Sequence, residues 1–407
     1  MRRSEIVVGV DLGSTRIKVV VADVSTRDVP EILGVGASES DGIEAGVIVN
    51  IERAADALRA AVAAAEKSSQ VEIGRIVVSA DGDHVKGLDS RGVVAISRTG
   101  GEITQTEIAA VLDAAKTLAL PVGRAVIEVI PQEFFVDGQR GVRDPVGMSG
   151  VRLGSKVHVV TASQHAVDNA VKAARKAGLK VAGVALKPFA AATATLTEDE
   201  RELGVLCLHL GGATTGLVLC HDGAVRHTGV VGWGSASITS DIAVGLRVPI
   251  QKAEQLKRER GCAKVSMADD QPVQIPSVGG RPPRQSSNQM LAAIIEPRVR
   301  EILEMAMGEV KSTDYWGRIL AGVVLTGGGA KLRGITEVVE DVFGAPARVG
   351  LPDRVSGRFE AIGDPAYAAA VGIVSSWTTP SGAGRQVQER PIADTVQKVK
   401  QWVDSLL

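Results

Sequence analysis

The sequence predicts an α/β chain of two lobes built on one plan, with a compact α+β subdomain inserted into the first lobe and a short amphipathic helix at the carboxyl end. Three observations carry that expectation. A strand, Gly/Ser/Thr turn, strand pattern occupies residues 6 to 21 and returns at residues 205 to 220, and a pattern repeated at that distance points to two related halves. Residues 84 to 163 interrupt the first half with a different texture of short strand-like runs around an amphipathic helix. Residues 392 to 407 place their apolar side chains on one helical arc.

The first lobe opens with Ile6-Val7-Val8-Gly9-Val10-Asp11, a β-rich run that turns at Leu12-Gly13-Ser14-Thr15-Arg16 and returns through Val21. A helix is expected from Arg53 to Lys67, where Ala54, Leu58, Ala61, Val62 and Ala65 share a face, followed by a buried strand from Arg75 to Ala80. In the insertion, Val93 to Ile96 and Val126 to Ile130 read as strands around a helix from Thr106 to Leu120. A helix from Gln164 to Gly178 and the Ala-rich stretch Pro188 to Leu196 lead into the second half.

That half begins with Val205-Leu206-Cys207-Leu208-His209-Leu210, turns at Gly211-Gly212-Ala213-Thr214-Thr215 and returns through Leu217 to Cys220. A third glycine loop, Thr326-Gly327-Gly328-Gly329, ends the strand Val323-Val324-Leu325 ahead of a further helix. Gln271 to Asn288, rich in Pro, Gly, Ser and Arg, reads as a loop, and Thr378 to Pro391 as a flexible tether.

Composition narrows the function classes. A chain of 407 residues with 45% hydrophobic content can bury more than one core. The net charge of −1 lacks the basic excess that phosphate neutralisation demands, so nucleic acid is not an expected partner. Cys207, Cys220 and Cys262 show no CxxC spacing and read as buried free thiols of a cytosolic protein. The six histidines lack HxxxH or HExxH spacing, which argues against a metal site built from them. Asp11 interrupts the apolar amino-terminal stretch too soon for a signal-peptide core, and Leu203 to Cys220 carries His209 and four glycines, so no segment reads as a bilayer span.

The three glycine loops together point to a nucleotide. Backbone N–H groups at a Gly/Ser/Thr hairpin tip form an anion-binding concavity, and hydroxyls of Ser14, Thr15, Thr214 and Thr215 can donate to phosphate oxygens. Two such tips facing each other would clamp a polyphosphate, while the Thr326 to Gly329 loop would admit purine and ribose close to backbone. No GxxxxGK[ST] sequence is present, which removes the P-loop route.

Those loops resemble the actin, Hsp70 and sugar-kinase superfamily. Val10 to Thr15 matches its first phosphate loop, Leu210 to Thr214 its second and Leu325 to Gly329 its adenosine loop, while Lys187 to Ala192 and Gly363 to Gly372 are similar to its two connecting helices. The resemblance narrows to FtsA, a bacterial cell-division family, on Val129-Ile130-Pro131-Gln132-Glu133-Phe134, Asp144 to Arg152, Leu196 to Gly204, Thr239 to Ala243 and Pro276-Ser277-Val278-Gly279-Gly280-Arg281-Pro282-Pro283-Arg284.

The resemblance implies an actin-like (ribonuclease-H-like) two-lobed ATPase fold. Residues 1–83 and 164–198 would form the first lobe (IA), 84–163 the inserted subdomain (IC) and 199–377 the second lobe (IIA and IIB, with IIB about 245–310); 378–391 and 392–407 would be linker and membrane-targeting helix. It implies ATP with Mg²⁺ as cofactors, held by Gly13, Ser14, Thr15, Lys18, Gly211, Gly212, Ala213, Thr214, Glu254, Lys257, Gly327, Gly328 and Gly329. Asp11 would order Mg²⁺ through water and any attacking water.

His209 and Gly216 stand where the family usually has Asp, and Ala213 where it has Gly. Imidazole is a poor substitute for a hard oxygen ligand. ATP is therefore expected to bind and to be hydrolysed slowly or not at all.

At the carboxyl end, Ile392, Val396, Val399, Trp402, Val403, Leu406 and Leu407 span an arc of about 140°, interrupted only by Thr395. Trp402 at the edge of that arc suits a bilayer interface. Lys398 and Lys400 are balanced by Asp394 and Asp404, so membrane binding would lean on apolar burial and on many tails acting together.

The resemblance further implies self-assembly into filaments, a place on the inner face of the cytoplasmic membrane at the division site, and contact with the carboxyl-terminal peptide of FtsZ, a tubulin-like GTPase. Glu296, Arg298 and Arg300, expected to be exposed on the helix after the Arg281-Pro282-Pro283-Arg284 turn, are the candidate docking residues. Residues 84–163 are the candidate surface for later division proteins. A small-molecule kinase of the same fold would need an acidic general base and no membrane tail, and an actin-like pilus-assembly protein would lack the Ser-Val-Gly-Gly-Arg-Pro-Pro-Arg phrase.

Overall fold

The computed structural model describes residues 5–25, 29–96, 101–117, 122–275, 284–357 and 359–377. The expected linker at 378–391, the helix at 392–407 with its seven apolar residues, and the Arg281-Pro282-Pro283 turn lie outside them.

The first lobe is a sheet started by β1 (Ile6–Leu12), β2 (Arg16–Asp23) and β3 (Glu31–Glu39), antiparallel in sequence order. Helix α1 (Ile51–Ser69) covers it and runs two residues beyond the expected span at each end. Its first turn is held by Asn50, whose side-chain oxygen accepts from Arg53 N at 3.1 Å, satisfying a donor that no helical carbonyl can reach. Strand β4 (Arg75–Ala80) then pairs parallel with β1.

The insertion comprises β5 (Lys86–Ala95), α2 (Gln105–Thr117), β6 (Arg124–Val136), β7 (Gln139–Val142) and β8 (Arg152–Ser163), with the strands in the order β5-β8-β6-β7. Their alternate residues, including Phe134, Val136 and Leu153, pack with Val111 of α2 into a core of their own. The chain then returns to the first lobe through α3 (Gln164–Lys176) and β9 (Lys180–Leu186), which pairs parallel with β4 and completes the order β9-β4-β1-β2-β3.

Helices α4 (Lys187–Thr195) and α5 (Glu198–Leu203) lead to β10 (Val205–Leu210), β11 (Thr215–His221) and β12 (Ala224–Val231). Helices α6 (Ser235–Leu246) and α7 (Ile250–Arg260) follow. The stretch expected as a loop from Gln271 is ordered at both ends, where β13 (Pro272–Ile275) and β14 (Arg284–Ser287) pair antiparallel. Val273 and Ile275 alternate inward there, and period-2 burial outweighs the turn-forming composition between them.

Helix α8 (Asn288–Lys311) precedes β15 (Val323–Thr326), α9 (Ile335–Phe343), β16 (Ala347–Val349) and α10 (Ala368–Trp377). The second sheet runs β12-β11-β10-β15-β16, with β10 antiparallel to β11 and parallel to β15. The two lobe sheets therefore share one strand order and one set of directions, as the repeated pattern predicts. The three cysteines are buried and free.

Candidate nucleotide site

Both hairpin tips stand at the carboxyl ends of inner strands that are buried on both faces. Leu12 N donates to Ser79 Oγ at 2.9 Å, which ties the first tip to β4, and Ser14 Oγ accepts from Gly46 N at 3.1 Å. In the second tip Gly211 N donates to Thr214 O at 2.9 Å, closing the turn. The start of α6 holds the loop from below, since Ser235 N and Ala236 N donate to the carbonyls of Gly211 and Gly212 at 2.9 and 2.7 Å.

The tips abut. A Cβ at Gly212 would lie 2.1 Å from Thr15 Oγ1, so glycine is what lets the loops approach. Ser14, Thr15, Gly211, Gly212 and Ala213 remain at least partly accessible around that contact. Two of the expected hydroxyl donors do not. Thr214 Oγ1 donates to Asp81 Oδ2 at 2.7 Å and Thr215 Oγ1 to Trp233 O at 2.7 Å, both buried, because a hydroxyl inside needs an acceptor and each finds one within the fold.

Beneath the tips lies a buried charge cluster. Lys187 Nζ, at the start of α4, sits 2.9 Å from Asp11 Oδ1 and 3.2 Å from Asp81 Oδ2, and donates to Leu12 O at 3.3 Å. Lys18 Nζ, opposite Asp11 across the β1–β2 ladder, is 3.7 Å from Asp11 Oδ2.

Burial alone would raise the Asp11 carboxyl, but Lys187, Lys18 and His209 hold it down at about 2. Burial likewise opposes the charge on Lys187, yet Asp11 and Asp81 raise it above the ordinary lysine value. His209, desolvated and beside Lys187, is pushed down to about 4 against the pull of the two carboxylates. At neutral pH the cluster thus holds ionised Asp11, protonated Lys187 and an uncharged imidazole.

The third loop backs onto the second, where a Cβ on Gly327 would lie 2.6 Å from Leu210 O, and it is held by Pro365, whose carbonyl accepts from Gly327 N at 3.0 Å and from Thr326 Oγ1 at 3.3 Å. Gly328 and Gly329 enter a short 3₁₀ turn that ends at Lys331, whose ammonium is 2.7 Å from Asp364. Glu254 and Lys257 stand on α7 one turn apart and close on the start of α6. Thr239 Oγ1 donates to Glu254 Oε2 at 2.6 Å, and Lys257 Nζ donates to Ser235 O at 2.9 Å. All three loops and the α7 pair therefore converge on one region.

Sequence reasoning missed Lys187 and Asp81. Lys187 had a signal, a lone cation opening an otherwise apolar helix, Lys-Pro-Phe-Ala-Ala-Ala. Asp81 follows a buried strand with no motif around it.

The expected docking residues need correction, since Glu296, Arg298 and Arg300 do not form an exposed face. Arg298 is directed to α6, with Nε 2.6 Å from Asp241 and its guanidinium 4.8 Å from the Trp233 ring centroid. Two-residue steps on a helix turn about 200°, so Glu296 and Arg300 point elsewhere. Glu296 accepts from Val265 N at 2.7 Å, and Arg300 pairs with Asp341 at 3.1 Å.

The residues present suit a nucleotide but do not suit Mg²⁺. That ion demands near-octahedral oxygen ligation and keeps its waters. The Asp11 and Asp81 carboxylates meet an ammonium instead. The expectation that Asp11 orders Mg²⁺ is not matched by this donor set.

Comparison with known proteins agrees with the fold. The family profile described as "Cell division protein FtsA" matches residues 206–372, and one described as "SHS2 domain inserted in FTSA" matches residues 82–161. The chain is 36% identical to the cell division protein FtsA of Pseudomonas aeruginosa over 99% of its own length and 98% of that protein's. Its fold is similar to the structure titled "PilM-PilN type IV pilus biogenesis complex", at 19% identity and TM-score 0.64 over 93% of this chain and 100% of that one. It is also similar to MreB 5 of Spiroplasma citri bound to AMPPNP, at 14% identity and TM-score 0.52 over 97% of this chain and 99% of that one.

Proposed function

The chain belongs to the FtsA family of cell-division proteins, and from that premise we propose that it binds ATP between its two lobes, polymerises, and tethers FtsZ filaments to the inner face of the cytoplasmic membrane. The observation that carries this reading is the meeting of two phosphate-type hairpin tips at Thr15 and Gly212, with the third glycine loop and the Glu254–Lys257 pair beside them. The AMPPNP held by the structurally similar MreB 5 is consistent with a nucleotide there.

The membrane function rests on the apolar arc of residues 392 to 407 beyond a polar tether. No helix among the described residues is long and apolar enough to cross a membrane. A short helix of nearly balanced charge binds reversibly, and tails aligned on a filament raise avidity by orders of magnitude. The FtsZ carboxyl-terminal peptide is assigned to the side of α8 that bears Arg300, and the inserted subdomain to later division proteins.

Co-sedimentation with liposomes and FtsZ, with and without ATP, tests the reading by comparing the full chain with one ending at Pro391. The full chain is expected to bring FtsZ down with vesicles, more strongly with ATP, and the shortened chain to leave it in solution. Equal recovery by both chains would remove the membrane helix from the proposal.

A further inference from the structure

All four carboxylate oxygens of Asp11 and Asp81 are engaged by groups of the protein itself. Asp11 Oδ1 receives Lys187 Nζ at 2.9 Å and the Ser79 hydroxyl at 3.4 Å, while Asp11 Oδ2 has Lys18 Nζ at 3.7 Å. Asp81 Oδ1 accepts from Gly82 N at 2.9 Å, and Asp81 Oδ2 accepts from Thr214 Oγ1 at 2.7 Å with Lys187 Nζ at 3.2 Å. Two ammonium groups flank Asp11, and together they carry the charge of one divalent cation.

Lys187 cannot easily withdraw from this arrangement. Its side chain is 5% exposed, it starts α4 in the middle of the molecule, and leaving would take the cation from Asp81 and leave Asp11 with Lys18 alone at 3.7 Å. A divalent ion placed beside Asp11 would meet like charge from Lys187 and Lys18 in a desolvated setting, where repulsion is poorly screened. The remaining nearby candidate, His209, is a nitrogen ligand in a place where Mg²⁺ requires oxygen.

We propose that this cleft binds nucleoside polyphosphate without a divalent metal, Lys187 serving as a fixed cation between Asp11 and Asp81 where a metal would otherwise stand. The inference rests on the reading of the cleft as a nucleotide site. It makes the counter-charge part of the fold: Lys187 and Lys18 together balance Asp11 and Asp81 before nucleotide arrives, and Lys18 is the partly exposed one of the two.

Isothermal titration of the full chain with ATP, in magnesium-containing buffer and in EDTA, tests this directly. The dissociation constants are expected to agree within about threefold. Binding that weakens by more than about tenfold in EDTA overturns the inference while leaving the nucleotide reading intact, and absence of binding in both buffers overturns both.

Lys187→Gln supplies a second arm. Removing the ammonium leaves Asp81 without a cation and Asp11 with Lys18 alone, so the variant is expected to lose affinity in EDTA and recover part of it on adding Mg²⁺. A folded K187Q protein that binds ATP equally well in both buffers overturns the role given to Lys187. The comparison on the unaltered chain decides by itself if that variant fails to fold.

Discussion

His209 and Lys187 alter what a polyphosphate bound between the hairpin tips would encounter. Hydrolysis requires a water that is deprotonated or polarised as it attacks, together with stabilisation of the charge that develops on the transferred phosphoryl group. Asp11 is ionised but already paired with Lys187, so it is a weak base, and His209 is a buried imidazole in place of an oxygen donor. The expected outcome is phosphate release from ATP no faster than that of Asp11→Ala, measured on the purified full chain. Release well above that background would show that the cluster rearranges into a competent site. Asp11 was legible in the sequence because its turn carries a recognisable local pattern. Asp81 was not, and Lys187 showed only as a lone cation opening an apolar helix, because their pairing is fixed by three elements meeting in space and no spacing rule joins residues so far apart along the chain.

Helices α4 and α10 cross so tightly that a single methyl group decides whether they can. A Cβ on Gly372 of α10 would lie 1.7 Å from the backbone carbonyl of Ala190 in α4, and a carbonyl held in a helix has no rotamer through which to yield. Gly372→Ala is therefore expected to destabilise the chain by about 3 kcal/mol, in the range of overpacked cores, as a lower urea midpoint with an unchanged slope. A midpoint within error of the parent would mean that the crossing is looser than its geometry indicates. The Ala-rich texture of both segments, with Gly372 in the second, is visible in sequence and marks small-residue contact, whereas which carbonyl that glycine meets depends on the crossing. The same limit applies to α8. Periodicity gives its apolar face, but Arg298 leaves solvent only because Trp233 and Asp241 of a neighbouring segment stand opposite it. Between Pro272 and Ser287 the composition concealed a pair of four-residue strands, of which only Pro272–Ile275 alternates in burial.

At the scale of the molecule, one strand order used twice leaves the inserted sheet as the part without a counterpart, and a polar cluster fastens it to the second lobe. His158 on β8 has Nδ1 2.9 Å from Asp89 Oδ1 and Nε2 2.9 Å from Thr228 Oγ1 of β12, while Gln132 Nε2 donates to Val225 O at 2.9 Å. Lys156 Nζ lies 2.8 Å from the other Asp89 oxygen. Burial raises the Asp89 carboxyl, but hydrogen bonds from His158 and Lys156 outweigh it and hold the group at about 2, below its ordinary 3.8. A carboxylate depressed in the folded state stabilises fully above its unfolded value and loses that contribution as pH falls through the folded one. The stability difference between the parent chain and Asp89→Asn is therefore expected to be constant from neutrality down to about pH 5 and to shrink from there toward about pH 2. Urea denaturation across that interval measures it, followed by protease sensitivity of the 82–161 region to show whether the insertion loosens first. Asp89 is partly exposed, so the energy involved is modest and sensitive to salt. A difference that stays flat to the acid limit of folding would mean that His158 and Lys156 do not hold Asp89 in solution. The fastening of the insertion to the second lobe would then rest on the His158–Thr228 and Gln132–Val225 hydrogen bonds and on the Arg143–Glu202 ion pair.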